Sequence, residues 1–527
     1  MTQQTILRLL TYDDPKKGPV PWNVETGLTR VTESFELGRD VETGTAIATP
    51  LSGMLAGQSS PIDDALPNWI KMQCMAETGR AISTTQVNEV VAQCQAWAVM
   101  RGAWRRVARR AWRDESRLVI DFGPVASDDG NLNPNLVENR YVLVEDGRWR
   151  MVSRPPKGVA FFRGAQFAPL PAPLATANWQ DAFPLFDHMP VEQAVVPLLM
   201  AYTAAIWALS NTQLPLLLAT GKPGQGKSWI CDTILWLTDP VSTASPDREV
   251  SPGIAMPKTV DDMAVASSDV LLLYVDNMSE TSRAMSDIIT ALATGRTSKK
   301  RALYTNKATS VINLKHPTML NGVDPTGFEP DVARRTIHIE AVDPTPPADR
   351  RDGETMAQWR ARQLPAAIGG ILDLVAGALA ILPTIQEAGG TFTDWRRWLR
   401  ACDQYMGTNA YGVYEDLVRT EVSDAALDNA VGRAMIAKAD LFRGTPTVLS
   451  ASELYERLRM FMDPVVARKL ASPQAFGREL AMVADSLKKR GWRVEQSRTS
   501  SKRGWTIQAP EEDDPEHLVI PFPGMEG

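Results

Sequence analysis

The sequence predicts an α/β fold: a parallel sheet with helices on its faces, preceded by a small α+β domain and followed by helical modules. Short apolar runs at residues 214–220, 270–275, 318–320 and 336–339 read as buried strands. Helical patterns separate them, which is the alternation expected of a parallel sheet. The first run leads directly into Gly221-Lys222-Pro223-Gly224-Gln225-Gly226-Lys227-Ser228, a full match to G-x-x-x-x-G-K-[ST], and a helical pattern follows it.

At 527 residues the chain is too long for one hydrophobic core, and roughly three to four domains are expected. A composition of 44% apolar and 22% charged residues is that of ordinary globular protein. The net charge of −6 excludes a polycation, so any nucleic-acid surface must be local. Cys74, Cys94, Cys231 and Cys402 form no CxxC pair, and with only four histidines a zinc site is not expected. The absence of a disulfide pattern fits a reducing cytoplasm. The amino terminus lacks an apolar signal core. Two apolar stretches, 195–209 and 366–382, fall short of the ~20 residues a spanning helix needs and read as buried helices, so no membrane association is expected.

Residues 1–75 are rich in Thr, Gly, Pro and Ser without sustained periodicity, and read as a poorly ordered arm. Residues 76–190 read as the small α+β domain. It begins with a helix over 84–98 that has Val87, Val90, Val91 and Cys94 on one face. A hairpin turned by Asp114-Glu115-Ser116 follows, then two strands around Glu145-Asp146-Gly147. The arginine-rich run 101–113 fits either a nucleic-acid surface or a solvated strand face. Residues 191–345 hold the sheet and 346–440 are helical. Residues 441–510 read as helices followed by a hairpin, and 511–527 as an acidic solubilising tail.

The glycine loop carries the chemistry. Glycines let successive backbone N–H groups wrap an anion, because no Cβ blocks the approach. The helix amino end adds partial positive charge. Lys227 would reach the β- and γ-phosphates of ATP, and the Ser228 hydroxyl would ligate Mg²⁺. The apolar run before Asp276 would deliver that carboxylate to the carboxyl end of a strand, where ligands of open α/β sheets collect and where it can hold the metal. Asn277 follows where many such sites carry a glutamate that polarises the attacking water. Asparagine orients a water but accepts no proton: either Asn277 does only that, or Glu280 or another acid serves as base, or hydrolysis is slow.

With these motifs, the chain resembles the superfamily 3-like helicases of the AAA+ class, the group containing poxvirus-type primase-helicases. More narrowly, it looks like helicase-like ATPases of actinobacterial phages and integrative elements. The resemblance covers roughly residues 100–510 and rests on GKPGQGKS, VLLLYVDNMS, LATGRTSKKRALYT, HPTMLNG, PDVARRTIHIE and AAIGGILDLVAGALAILP in that order. It implies an AAA+ P-loop ATPase core with a helical lid and a carboxy-terminal winged helix. Asn321 would be the polar sensor of the γ-phosphate or attacking water, its alternative being a simple Asn-Gly turn. Arg335 would be the arginine finger acting on a neighbouring subunit, with Arg334 as runner-up and a surface Arg pair as the alternative. A hairpin over 297–313 would carry Lys299, Lys300, Arg301 and Lys307 into a ring channel, unless it is only a solvated charged hairpin. In the winged helix, Arg498, Lys502 and Arg503 flank a small polar loop suited to phosphate contacts, unless the module docks protein.

The expectation is a ring, most simply a hexamer, that moves on single-stranded or forked DNA in phage or mobile-element replication, with a primase-polymerase as a further partner. The rival expectations are a DNA-bound ATPase switch or loader that unwinds nothing, and a defence or regulatory NTPase.

Overall fold

A computed structural model describes residues 21–53, 55–124, 139–248, 250–278, 283–295, 297–301, 309–313, 315–322, 330–387, 389–427, 430–498 and 503–510. The chain divides into two compact units. One comprises residues 1–279, 287–325 and 339–414; the other comprises 280–286, 326–338 and 415–527.

Residues 21–75 depart from the expected poorly ordered arm, whose residues 1–20 lie outside the described residues. The Asn23 side chain accepts from the Thr26 amide and starts α1 (Val24–Ser34). There follow β1 (Phe35–Asp40), β2 (Ala46–Pro50), β3 (Ser60–Pro61), α2 (Ile62–Thr78), α3 (Thr84–Arg101) and β4 (Ala103–Arg105). The strands form a sheet in the order β3-β2-β1-β4, with β1 antiparallel to β2 and parallel to β4. Trp22, Val31, Phe35, Leu37, Ile62, Leu66 and Ile70 bury against Val87, Val90, Val91 and Cys94. The strands are short and their apolar partners lie far along the chain, so no local periodicity announces them. α3 opens on a capping box, with the Ser83 and Gln86 side chains each serving the other's backbone.

Next come β5 (Val107–Ala108), β6 (Ala111–Arg113), β7 (Leu118–Pro124), β8 (Asn139–Glu145), β9 (Arg148–Val152) and β10 (Ala160–Phe161). β6 to β9 form an antiparallel meander, and β5 pairs with β10. Both expected turns are present. The Asp114 carboxylate accepts from the Ser116 and Arg117 amides at 3.0 and 2.7 Å. Asp146 and Gly147 both have positive φ, 50° and 71°, as a two-residue hairpin of primed type requires.

The arginine-rich run forms neither of the two surfaces the sequence suggested. Arg110 is fully buried. Its Nε donates to Asp239 Oδ1 at 2.6 Å, its Nη1 to the Asp121 carbonyl at 3.1 Å and its Nη2 to the Ala168 carbonyl at 2.9 Å. The guanidinium also lies 4.0 Å over the Phe167 ring. Arg105 pairs with Glu36, Arg109 donates to the Ser268 carbonyl and Arg113 to the Ala208 carbonyl. These cations are structural ties, and of the run's arginines only Arg101 and Arg106 stand exposed.

Beyond the short helix α4 (Phe183–Asp187) lies α5 (Val196–Ala208), in which all but one of the residues are buried. Then come β11 (Leu216–Thr220), α6 (Lys227–Thr238), α7 (Val260–Ser268), β12 (Leu273–Met278), α8 (Arg283–Thr294), β13 (Thr297–Arg301), β14 (Thr309–Asn313), β15 (Thr318–Gly322), α9 (Pro330–Ala333) and β16 (Thr336–Glu340). The four expected buried strands make one sheet in the order β12-β15-β11-β16, with β15 parallel to both β11 and β12. Every residue of β11 and β15 is buried, as strands covered on both faces require. β13 and β14 pair as the expected antiparallel hairpin.

α10 (Met356–Ile381) and α11 (Thr393–Met406) pack on the first unit's core, and α12 (Ala410–Leu427) follows. α10 runs 26 residues, longer than its apolar stretch suggested, and by length and composition alone could cross a membrane. Here its apolar positions are buried against α5, α6 and α11. Trp398 Nε1 donates to the Ala201 carbonyl at 2.9 Å and Trp207 Nε1 to the Thr238 carbonyl at 3.0 Å, tying α5 to α11 and α6.

The second unit contains α13 (Ala430–Ala437), β17 (Thr447–Leu449), α14 (Ala451–Leu458), α15 (Pro464–Lys469), α16 (Pro473–Lys489), β18 (Arg493–Arg498) and β19 (Arg503–Gln508). The strands form an antiparallel sheet in the order β17-β19-β18. Leu454, Leu458, Phe476, Leu480, Val483, Leu487, Trp492, Val494 and Ile507 fill its core. Ser450 with Glu453, and Ser472, cap α14 and α16.

Asp239 holds two elements at once: beside its Arg110 bond, Oδ2 accepts from the Leu271 and Leu272 amides at 2.7 and 3.1 Å. Asp239→Ala would strand the buried Arg110 charge and should lower stability by about 3–5 kcal/mol, read as a drop in urea midpoint. Arg101→Ala, at an exposed position, should stay within about 0.5 kcal/mol of the parent.

Candidate functional site

After Thr220 the chain turns through Gly221, Gly224 and Gly226, with φ of 141°, 89° and 83°. L side chains rarely adopt such backbone. Two of these positions also lack room: a Cβ would stand 2.8 Å from Gln225 Oε1 at Gly221, and 2.9 Å from Pro190 Cγ at Gly226. Gly224 faces open space. The Gln225 side chain closes the loop, accepting from the Lys222 amide at 2.7 Å and donating to Asp343 Oδ1 at 3.3 Å. Lys227 Nζ donates to the Lys222 carbonyl at 3.1 Å. Gly226 caps α6 without a side-chain hydrogen bond, so amides of the first turn can serve an anion.

The sheet register brings the second set of residues to this loop. Asn321 sits opposite Ala219 of β11 at the carboxyl end of β15. Its side chain is 1% exposed and fully engaged. Nδ2 donates to Ser228 Oγ at 3.2 Å and to the Tyr274 hydroxyl at 2.9 Å, while Oδ1 accepts the Asn277 N–H at 2.6 Å. That last bond depends on an irregular backbone. The β12–β15 register shifts between Val275 and Met278, and Asn277 adopts φ 57°. Asparagine visits this left-handed region more readily than most residues.

Asp276 lies one residue earlier, its N–H donating to the Ile254 carbonyl at 2.8 Å. Ile254 bridges Val275 as a short parallel extension of the sheet edge. A Cβ on Gly253 would come within 2.6 Å of Asp276 Cβ, so glycine leaves the carboxylate its space. The hydroxyl of Ser228 and the carboxylate of Asp276 are hard oxygen donors, a set that suits Mg²⁺.

Beneath these groups lies a second polar layer that the sequence reading missed. Asp232 is one helical turn past Ser228 on α6 and is buried. Ser251 Oγ donates to Asp232 Oδ1 at 3.2 Å and stands 3.4 Å from the Tyr274 hydroxyl. Burial is the main cause lifting the Asp232 carboxyl to about 7; Arg360 and the Ser251 hydrogen bond pull it down, and Asp276 pushes it up. The one available signal in the sequence was the four-residue spacing from Ser228, which puts both residues on one helix face.

Arg334 and Arg335 follow α9 in the second unit, where Arg334 is exposed and Arg335 half-buried. The Arg335 N–H donates to the Val332 carbonyl at 2.9 Å. Lys299, Lys300 and Arg301 belong to β13, and Arg498 and Arg503 face one another in the β18–β19 register. Lys307, Lys502 and Glu280 lie outside the described residues.

Residues 197–411 match the family described as actinomycete integrative conjugative element replication protein. No curated protein matches the chain. Among solved structures, the NrS-1 carboxy-terminal region (305–718) aligns with 92% of this chain and 98% of its own at 10% identity, TM-score 0.37. SCCmec type IV Cch, described as an active helicase, aligns with 90% of this chain and 93% of its own at 12% identity, TM-score 0.42. The JCV helicase aligns with 47% of this chain and 64% of its own at 14% identity, TM-score 0.23.

The Asn277 backbone yields a test of its own. Asn277→Ile should cost about 1–2 kcal/mol through left-handed strain, whereas Asn277→Gly should cost markedly less. Equal urea midpoints for the two variants would mean that the strained turn is not present in solution.

Proposed function

We propose that this chain is an ATP-hydrolysing, helicase-like replication motor that assembles as a ring and translocates on DNA in phage or mobile-element replication. The observation that carries the reading is the Asn321 side chain, which joins Ser228 of the glycine loop to Asn277 beside Asp276. The loop, the metal-holding oxygens and a water-orienting amide thus meet at the carboxyl end of a parallel sheet. The match to an integrative-element replication protein supports the replicative setting.

In this reading the loop amides and Lys227 bind the triphosphate, and Ser228 and Asp276 hold Mg²⁺. The bound cation neutralises charge on the phosphate oxygens. Asn321 and Asn277 orient the attacking water. Arg335 reaches the site of the next subunit in the ring, taken as a hexamer, and stabilises transition-state charge. Residues 191–345 act as an AAA+ P-loop core and 346–440 as its lid. Lys299, Lys300, Arg301 and Lys307 on the hairpin grip single-stranded DNA. The second unit's three-stranded sheet and helices act as a winged helix, using Arg498, Lys502 and Arg503 on phosphates at a fork. A primase-polymerase is the natural partner, and the cytoplasm the natural location.

One observation favours a second reading, a DNA-bound ATPase switch or loader without unwinding. Asn277 occupies the position next to Asp276 and its side chain takes up no proton. Strand displacement on forked DNA separates the two: ATP-dependent binding without displacement selects the switch.

Lys227→Ala should abolish ATP turnover; turnover at the parental rate would sink the site. Arg335→Ala should keep nucleotide affinity and lose about 10³-fold or more in hydrolysis. Normal hydrolysis in that variant would remove Arg335 from the site of a neighbouring subunit.

A further inference from the structure

A side-chain amide presents nearly the same shape when its oxygen and nitrogen are exchanged, so something must decide which way Asn321 faces. The surroundings decide it through protons. Asn277 offers an N–H at 2.6 Å, which demands the Asn321 oxygen. The nitrogen then points at Ser228 Oγ and at the Tyr274 hydroxyl. A hydroxyl carries one proton, so a Tyr274 oxygen that accepts from Asn321 must donate in another direction. On that other side stand Ser251 Oγ at 3.4 Å and, bonded to Ser251, the buried Asp232 carboxylate. If the Tyr274 proton instead turned toward Asn321, the amide would flip, and its NH₂ would meet the Asn277 N–H donor to donor. Tyr274, Asp232 and Asn321 are all buried, so water cannot relieve that conflict.

We infer that Asp232, through Ser251 and Tyr274, acts as a positioning group that holds the Asn321 side-chain amide with its nitrogen on Ser228 and its oxygen on Asn277. Asp232 touches no substrate in this scheme. It supplies the acceptor that draws the Tyr274 proton away, and the orientation of Asn321 follows. The inference rests on the ATP-site reading above and deepens it, because it names what sets the geometry of the water-orienting residue.

The test uses the full chain and measures ATP turnover beside binding of a fluorescent ATP analogue. Tyr274→Phe removes the intermediate hydroxyl. Asp232→Leu removes both acceptor oxygens at similar side-chain volume. Each should lower kcat about tenfold, the scale of one misdirected hydrogen bond, while analogue affinity stays within about twofold. The double variant should be no slower than either single one, because both break the same chain. Cys231→Ala, a buried α6 neighbour outside the chain of hydrogen bonds, should keep parental kcat and controls for general loosening of the helix. Parental kcat in Tyr274→Phe, or losses that multiply in the double variant, would overturn the inference while leaving the ATP site intact. If Asp232→Leu fails to fold, Tyr274→Phe decides alone. Absence of turnover and of analogue binding in the unsubstituted chain would instead bring down the ATP-site reading, and this inference with it.

Discussion

The side-by-side pairing of β11, β15 and β12 is the constraint on which the candidate site depends. Parallel strands buried on both faces must be apolar along their length, and they release polar residues only where they end. β11 releases the chain into the glycine loop, β15 carries Asn321 next to its end, and β12 carries Asp276 and Asn277 just before its last residue. Because the register places Ala219 beside Asn321 and Val275 beside Leu320, three segments distant in sequence deliver their polar ends to one place. A one-residue slip would point Asn321 to the opposite face. Its buried amide would then lose its partners, at a cost of about 1–3 kcal/mol for each group left unpaired.

The same economy governs the layer below. Asp232, Ser251 and Tyr274 are polar groups in an apolar setting, and they are tolerated because each serves another. Their arrangement has a direction, from the donor Asn321 to the acceptor Asp232. Such a chain transmits the orientation of one proton across several side chains, which an apolar core of the same shape could not do.

The arginines between 105 and 113 illustrate how composition misleads when placement is unknown. A dense basic run suggests an electrostatic surface. Here Arg110 fills the interior, binding Asp239 and the backbone carbonyls of Asp121 and Ala168. A planar guanidinium with five donors can satisfy several such acceptors at once, which a lysine could not. Asp239 in turn ties the end of α6 to the chain entering β12, so the meander domain is held to the helix that leaves the glycine loop.

Much of this organisation was legible in the sequence because it is local. Four buried strands, the glycine loop and the turns at Asp114 and Asp146 each follow from periodicity or turn chemistry within a few residues. The amino-terminal segment was not legible: its strands are short, and its core is completed by α3, far along the chain. Nor were Tyr274 and Asp232, which in sequence are an ordinary strand aromatic and an ordinary helical acid. By itself the sequence determined which residues can bend, cap and bind phosphate, since those properties belong to single side chains and their immediate neighbours. The tertiary structure alone decided that Asn321 joins Ser228 to Asn277 and that Arg110 lies inside. Both depend on strand register and on which polar groups burial leaves in need of a partner.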